Sequence, residues 1–323
     1  MATMILRRLD REDPHDRLKW KDLIARADGS TLFHDPGFLA YHGDRFDEFH
    51  LGCFRGGVLI GVLPMAIGHE QQIKVARSPY GGSIGGFVFS EILPFGKYVE
   101  VLQLLVELLQ ADGVQRLVIT PPVPTYYEDG SDTLTFAMLI NGFKVMNSEL
   151  TSFVPLLETM ETTIFDSRAR NMARKAEKFG VRCEFRGSNR DFWTVMDQTF
   201  AKHGVPPTHN FDQWCGLAER LPDSIWVDVA YLDDVPVAGI GHFKLTDTVD
   251  SSFYLASNPE LRQSQALSLL VFQALVRSRE EGFKVFDFGG SSVRMVTQEA
   301  VLRFKESFGA RGMLRQTYRL DIA

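Results

Sequence analysis

Two charged side chains stand inside stretches that otherwise read as core. The segment KVFDFGGSSVRMVTQEAVLRFKESFGARGML, residues 284–314, places Asp287 between Phe286 and Phe288, and Lys305 between Phe304 and Phe308. Burying a carboxylate or an ammonium is costly unless it is paired or hydrogen-bonded, so each needs a reason to be there. They are the first candidates for proton handling or charge stabilisation. A second cluster is AKHGVPPTHNF, whose turn-rich centre should bring His209 back towards His203. As a metal pair the two histidines lack a third ligand, which leaves His203 as a candidate acceptor-site residue.

The third concentration of chemistry is cationic. Residues 168–182, RARNMARKAEKFGVR, hold six Lys or Arg (Arg168, Arg170, Arg174, Lys175, Lys178 and Arg182) against one Glu. This reads as an amphipathic helix, either a solvated face or a surface for phosphates, since several cations within a few turns make a strong local field. The whole chain, at a net charge of −6 over 323 residues, carries no global basic field, so any polyanion contact must be local. No GxSxG elbow, HExxH helix or catalytic-cysteine signature is present. Cys53, Cys183 and Cys215 lie far apart without CxxC spacing, which fits a reducing, cytoplasmic setting better than a disulfide framework. No run of 18 apolar residues suggests a transmembrane helix, and the N-terminus turns polar too soon for a signal peptide.

The elements that must position these groups come in two copies. FHLGCFRGGVLIGVLPMAI, from Phe49, is strand, Gly56-Gly57 turn, strand; WVDVAYLDDVPVAGIGHFK, from Trp226, repeats the layout around Asp233-Asp234. Each hairpin is followed by a loop, an apolar helix (YVEVLQLLVELLQADG; ALSLLVFQALVRSREEG) and a strand (VQRLVIT; FKVFDFGG). A helix ending in Gly and Phe comes next in each copy, then a last strand, LTSFVPLL or LRQTYRLDI. The duplication predicts an α/β (α+β) chain of two similar domains, 1–160 and 161–323, the second opening with the basic helix. A single doubly wound nucleotide fold would need a glycine-rich strand-to-helix turn, and GGSIGG at 81–86 does not fit GxGxxG.

The repeated unit resembles the GNAT (N-acetyltransferase) fold, and the tandem arrangement is similar to the Fem-type aminoacyltransferases and their acetyltransferase-like relatives. The resemblance runs from STLFHDPGFLAY to the C-terminus. It is strongest in RNMARKAEKFGVRCEF, in YLASNPELRQSQALSLLVFQALVRSREEGFKVFDFGG and in FKESFGA. It implies transfer of an acyl or aminoacyl group to an amine, with no tightly bound cofactor. In Fem-type enzymes the donor is an aminoacyl-tRNA and the acceptor a peptidoglycan-precursor peptide; other relatives take acyl-CoA. The CoA-using pattern opens the main helix with a glycine-rich turn whose bare N–H groups hold the pyrophosphate. Here the matching stretch is RQSQAL, 262–267, with Gln265 where glycine is expected. The first copy has no such turn either, which makes it a non-catalytic or acceptor-binding lobe.

By the same resemblance Phe304 and Lys305 match the Phe-Lys pair of Fem-type catalysis, with Lys305 near the transferred carbonyl or the donor's terminal adenosine. Its alternative is a lysine whose stem snorkels past Phe304 and Phe308. Asp287, at a strand end where open α/β sheets place ligands, would orient the acceptor amine or take its proton, or else serve as a capping or salt-bridged carboxylate. Tyr254 in SSFYLAS would reach the cleft or sit in the core, and Arg262 would hold a donor phosphate or lie free on the surface. Arg174 and Lys175 would meet a tRNA. Two rivals stand beside the aminoacyltransferase: an acyl-CoA N-acyltransferase, and a non-catalytic binding protein for a polysaccharide or peptidoglycan precursor.

Overall fold

The computed structural model describes residues 3–128, 130–160, 164–204 and 206–322. The chain divides into two compact units, Met1–Glu149 with Leu314–Ala323, and Leu150–Met313. Each is built on a mixed sheet flanked by helices, as the two-copy reading expects.

Unit 1 begins with β1 (Met4–Leu9), α1 (Pro14–Ile24) and α2 (Pro36–Leu39), followed by β2 (Asp47–Glu48), β3 (His50–Arg55), β4 (Val58–Leu63), β5 (Ala66–Glu70), β6 (Ile73–Ser78) and β7 (Val88–Phe89). It continues through α3 (Phe95–Ala111), β8 (Arg116–Ile119) and α4 (Thr133–Ile140) into β9 (Lys144–Pro155). Strands β1, β3, β4 and β7 form one antiparallel sheet, while β6 runs parallel to β8 and antiparallel to β5. Leu102, Leu105 and Leu109 of α3, at helical spacing, bury one face against Leu51, Leu63 and Leu117. The loop 79–86 follows β6, a strand parallel to β8, but it leads into β7 rather than a helix. The strand-to-helix phosphate turn is therefore missing.

Unit 2 contains α5 (Ser167–Lys178), β10 (Arg182–Glu184), α6 (Asn189–His203), α7 (Phe211–Arg220), β11 (Ile225–Leu232), β12 (Val235–Thr246) and β13 (Val249–Ser257). After these come α8 (Ala266–Glu280), β14 (Val285–Gly290), the short β15 (Ser292–Val293) and β16 (Val296–Thr297), then α9 (Glu299–Ser307). Its strands lie in the order β10-β11-β12-β13-β14-β9, with β13 and β14 parallel and the other pairs antiparallel.

The two hairpins that announced the repeat use the same turn with different residues. Gly56 and Gly57 (φ 58° and 83°) join β3 to β4, and Asp233 and Asp234 (φ 49° and 59°) join β11 to β12. Two successive left-handed residues match the strand twist, and Asp tolerates that region better than most side chains. On α5, Ala169, Ala173 and Ala176 form a narrow buried stripe against α8, and Asp166 caps the helix by accepting from the Ala169 N–H at 2.7 Å.

The last strands are exchanged relative to the repeat. Residues 150–155 of β9, read as the end of the first copy, pair with β14 in unit 2. The C-terminal strand β17 (Arg311–Asp321) instead carries Tyr318, Arg319, Leu320 and Asp321 back to β8 of unit 1. Tyr318, Leu320 and Ile322 complete the unit 1 core. Both strands are amphipathic and equally strand-like, so local pattern did not distinguish which sheet each would join.

Candidate active site

Alternation along β14 settles where its side chains go. Phe286 and Phe288 pack into the unit 2 core, so Asp287 projects from the other face, opposite Ser251 of β13. It is only 4% exposed. Its Oδ1 accepts from the Gly289 N–H at 2.6 Å and from the Thr151 hydroxyl at 3.3 Å. Gly289 is left-handed (φ 71°) and coincides with a register shift against β9. Glycine takes that conformation without steric cost, and the carboxylate fastens the resulting turn.

Lys305 reaches the same turn from α9. It is 2% exposed, and Nζ donates to the carbonyls of Gly289 (3.0 Å) and Gly290 (2.7 Å) and to Ser291 Oγ (3.1 Å). Ser291 Oγ also lies 2.7 Å from Ser152 Oγ. Phe304 is partly buried against the unit 2 core, with its ring edge-on to Phe308 at 5.3 Å. The structure thus brings Asp287 and Lys305 together on residues 289–291, one gripping an N–H and the other the carbonyls. Between them they make a rigid backbone turn whose Gly290 is exposed and carries an ammonium immediately behind it.

The other candidates lie elsewhere in unit 2. The Tyr254 hydroxyl accepts from the His209 N–H at 3.2 Å and sits 2.8 Å from His209 Nδ1, within an aromatic cluster that includes Phe192, Trp214 and Phe253. Arg262 is exposed on the 3₁₀ turn Pro259–Ser264 that leads to α8. Its carbonyl accepts from the Gln265 N–H (3.2 Å) and from Gln265 Nε2 (2.9 Å). Gln265 is left-handed (φ 57°) and stands at the N-cap of α8 without capping it. Arg174 and Lys175 are exposed on α5, away from its alanine stripe. His203 ends α6, and its side chain lies outside the described residues. Among the described residues no three His, Cys, Asp or Glu side chains are arranged to hold a metal ion.

A further buried site was not anticipated. His242 of β12, fully buried, lies between two buried carboxylates: Nδ1 is 3.0 Å from Asp250 Oδ1 of β13, and Nε2 is 3.1 Å from Asp228 Oδ2 of β11. The second contact is an ion pair off the hydrogen-bond line, since Nε2 has no aligned acceptor. From α8, Arg277 donates to Asp228 Oδ2 at 2.8 Å and Ser278 to Asp250 Oδ2 at 2.5 Å. The Arg186 N–H donates to Asp228 Oδ1 at 3.0 Å, and Trp226 stacks on the imidazole at 5.1 Å. Burial alone would push His242 down, but the charges of Asp250 and Asp228 outweigh it and raise it to about 9. The signal was present in the sequence as single charges inside apolar runs: Asp228 in WVDVAY and His242 in AGIGHFK.

Residues 165–305, less than half of the chain, match the model of an acetyltransferase (GNAT) domain. No curated protein matches the chain. Among solved structures, the chain is similar to FemX, at 13% identity and a TM-score of 0.72 over 94% of this chain and 96% of that one. It is also similar to L-PGS from Bacillus licheniformis, at 12% identity and a TM-score of 0.58 over 96% and 92%. A third likeness is to a tandem GNAT protein from the clavulanic acid biosynthesis pathway, at 10% identity and a TM-score of 0.55 over 99% of both chains. At these identities the likeness is one of fold. Two mixed-sheet units, with the acetyltransferase match falling within the second, give the chain a tandem GNAT fold similar to that of FemX.

Proposed function

We propose that the chain forms amides by moving an aminoacyl group from an aminoacyl-tRNA to an amine acceptor such as a cell-wall precursor peptide, with the donor site in unit 2. The observation that carries this reading is Gln265. A CoA-type site needs bare backbone at the mouth of the main helix so that the pyrophosphate can approach closely. Here a left-handed residue with a full side chain stands there, and its amide is folded back onto the Arg262 carbonyl. Ala266 N–H is turned towards Ser264 Oγ at 3.4 Å. The cationic face of α5 offers an alternative means of holding a phosphate-bearing donor.

In this reaction the acceptor nitrogen attacks the ester carbon. The C–N bond forms, the C–O bond to the ribose breaks, and the proton lost by nitrogen passes to the departing oxygen. Lys305 lends positive potential to the Gly289-Gly290 turn against which the carbonyl oxygen would develop charge. Asp287 would orient the amine. Holding donor and acceptor together contributes more, about 7–11 kcal/mol, so few reactive side chains are required. Tyr254, tied to His209, and the exposed Arg262 would contact substrate at its edges.

One observation favours an acyl-CoA-dependent N-acyltransferase as a second reading: the matched domain is of acetyltransferase type and spans the entrance of α8. Calorimetry and thermal shift with acetyl-CoA, longer acyl-CoAs, and charged and uncharged tRNA separate the two. A ligand at 100 times its Kd stabilises by about 2.7 kcal/mol. We expect salt-sensitive binding of charged tRNA, weakened in an Arg174→Ala/Lys175→Ala double variant whose stability is unchanged. Acyl-CoA binding lost in Arg262→Ala would replace the first reading with the second. No binding of either donor would leave a non-catalytic binding protein.

A further inference from the structure

Unit 1 contains a cavity of about 400 Å³, formed where β6, β8, β9 and β17 approach the glycine-rich loop 79–86. Small-molecule pockets of this size are mostly apolar, but this one is walled by charged and hydrogen-bonding groups, among them Arg77, Ser83, Thr120, Asn147, Glu149 and Arg315. A wall of that kind remains solvated unless a polar ligand replaces the water.

The charges in the wall are not equivalent. Arg77 is already ion-paired with Glu70. Arg315, half-buried on β17, makes no ion pair among the described residues, and a guanidinium cannot shed its proton to relieve the cost. Glu149 is 9% exposed, and its Oε1 accepts from Asn147 Nδ2 at 2.9 Å. Thr120 and Thr317 pair their hydroxyls at 2.8 Å on the same wall.

The cavity is also stiff. The Gly86 N–H donates to Ser78 Oγ at 2.8 Å and the Gly85 N–H to the Thr120 carbonyl at 2.8 Å. A Cβ on Gly81 would strike the His42 ring at 2.3 Å, and one on Gly82 the Phe33 ring at 2.9 Å. The loop that presents Ser83 is therefore pressed against aromatic rings rather than free to collapse inward.

We infer that this cavity is a binding site for the free carboxylate of an amino acid or short peptide. Arg315 takes the carboxylate through its planar fork, and Glu149, steadied by Asn147, faces the ligand's ammonium or amide N–H. Under the proposed amide-forming reaction this ligand is the acceptor, and that assignment rests on the proposed function. The binding itself does not.

The test is calorimetric titration of the full chain with alanyl-alanine, alanyl-alanine amide, free alanine and inorganic phosphate. We expect alanyl-alanine or alanine to bind, the amide to bind at least tenfold more weakly, and R315Q to lose at least tenfold in affinity. R315K, which keeps the charge and loses the fork, should retain its Tm and fall in between. Comparing the peptide with free alanine identifies which source of carboxylate is preferred. Equal binding of acid and amide, affinity undiminished in R315Q, binding of phosphate alone, or no binding would each overturn the inference. Donor binding is measured on the same samples. Carboxylate binding without donor binding would sink the transferase reading alone, and donor binding without carboxylate binding would sink only this one.

Discussion

Each unit buries a histidine completely, and the two are driven in opposite directions. In unit 1, His34 has Nδ1 against the Thr31 N–H at 3.2 Å and the Thr31 hydroxyl at 3.0 Å, with no carboxylate paired to it among the described residues. Burial pushes it down to about 4. In unit 2, His242 suffers the same desolvation, but two carboxylates carry it up to about 9. Depth alone does not fix a histidine's charge; the partners that share its depth do. Unit 1 therefore carries a neutral ring near neutral pH, whereas unit 2 carries an imidazolium locked into three strands and a helix. The contrast extends to the rest of the polar groups. Unit 2 turns Asp287 and Lys305 onto its own backbone, and unit 1 keeps Arg315 beside an open cavity.

The strongest way to break this comparison is at Lys305. Lys305→Met leaves the Gly289 and Gly290 carbonyls and Ser291 Oγ without their shared donor. Leaving these acceptors without a donor should cost about 3 kcal/mol in urea unfolding, and transfer activity should fall to background. If stability holds and only activity falls, the ammonium serves chemistry rather than the turn.

A smaller effect sharpens the histidine contrast. For His242, folded pKa above unfolded means a stabilising contribution present below about pH 6.5 and lost as pH rises through about 9. For His34, the folded pKa lies below the unfolded one, so the contribution is present above about pH 6.5 and lost as pH falls towards 4. Amide hydrogen exchange should show unit 2 loosening first in alkali and unit 1 first in acid. His242→Gln should flatten the alkaline limb by about 2 kcal/mol, and an unchanged limb would remove the histidine from the account.

The smallest change is Gln265→Gly. Relief of a left-handed side chain should stabilise by about 0.5–1 kcal/mol, less whatever the Arg262 hydrogen bond contributes. Its informative readout is acetyl-CoA affinity. A gain would show that one side chain closes the phosphate approach, and no gain would place the obstruction elsewhere in the turn.

Much of this was legible from pattern. The duplicated hairpins, the apolar helices α3 and α8 and the alanine-striped α5 follow from periodicity, and Asp287 and Lys305 stood out because each broke an apolar run. Asp228 and His242 broke similar runs and were passed over, because their partnership depends on strand register that no local window contains. The unit 1 cavity was invisible for the same reason: Arg77, Asn147 and Arg315 are distant in sequence, and only the pairing of β17 with β8 gathers them. The exchange of last strands was equally hidden, since strand propensity names an element and not its neighbour.

That exchange has a consequence for how the chain is made. Residues 1–149 leave the ribosome before unit 2, yet their sheet is missing β17 until Tyr318–Asp321 have followed the whole of unit 2. Domains usually complete in order of emergence. Here the later unit has all its strands before the earlier one does, so unit 1 must wait with an unpaired β8 edge until β17 has been made. A truncation after Met313 would leave unit 2 whole and unit 1 permanently unfinished, exposing that edge to any other strand in the cell.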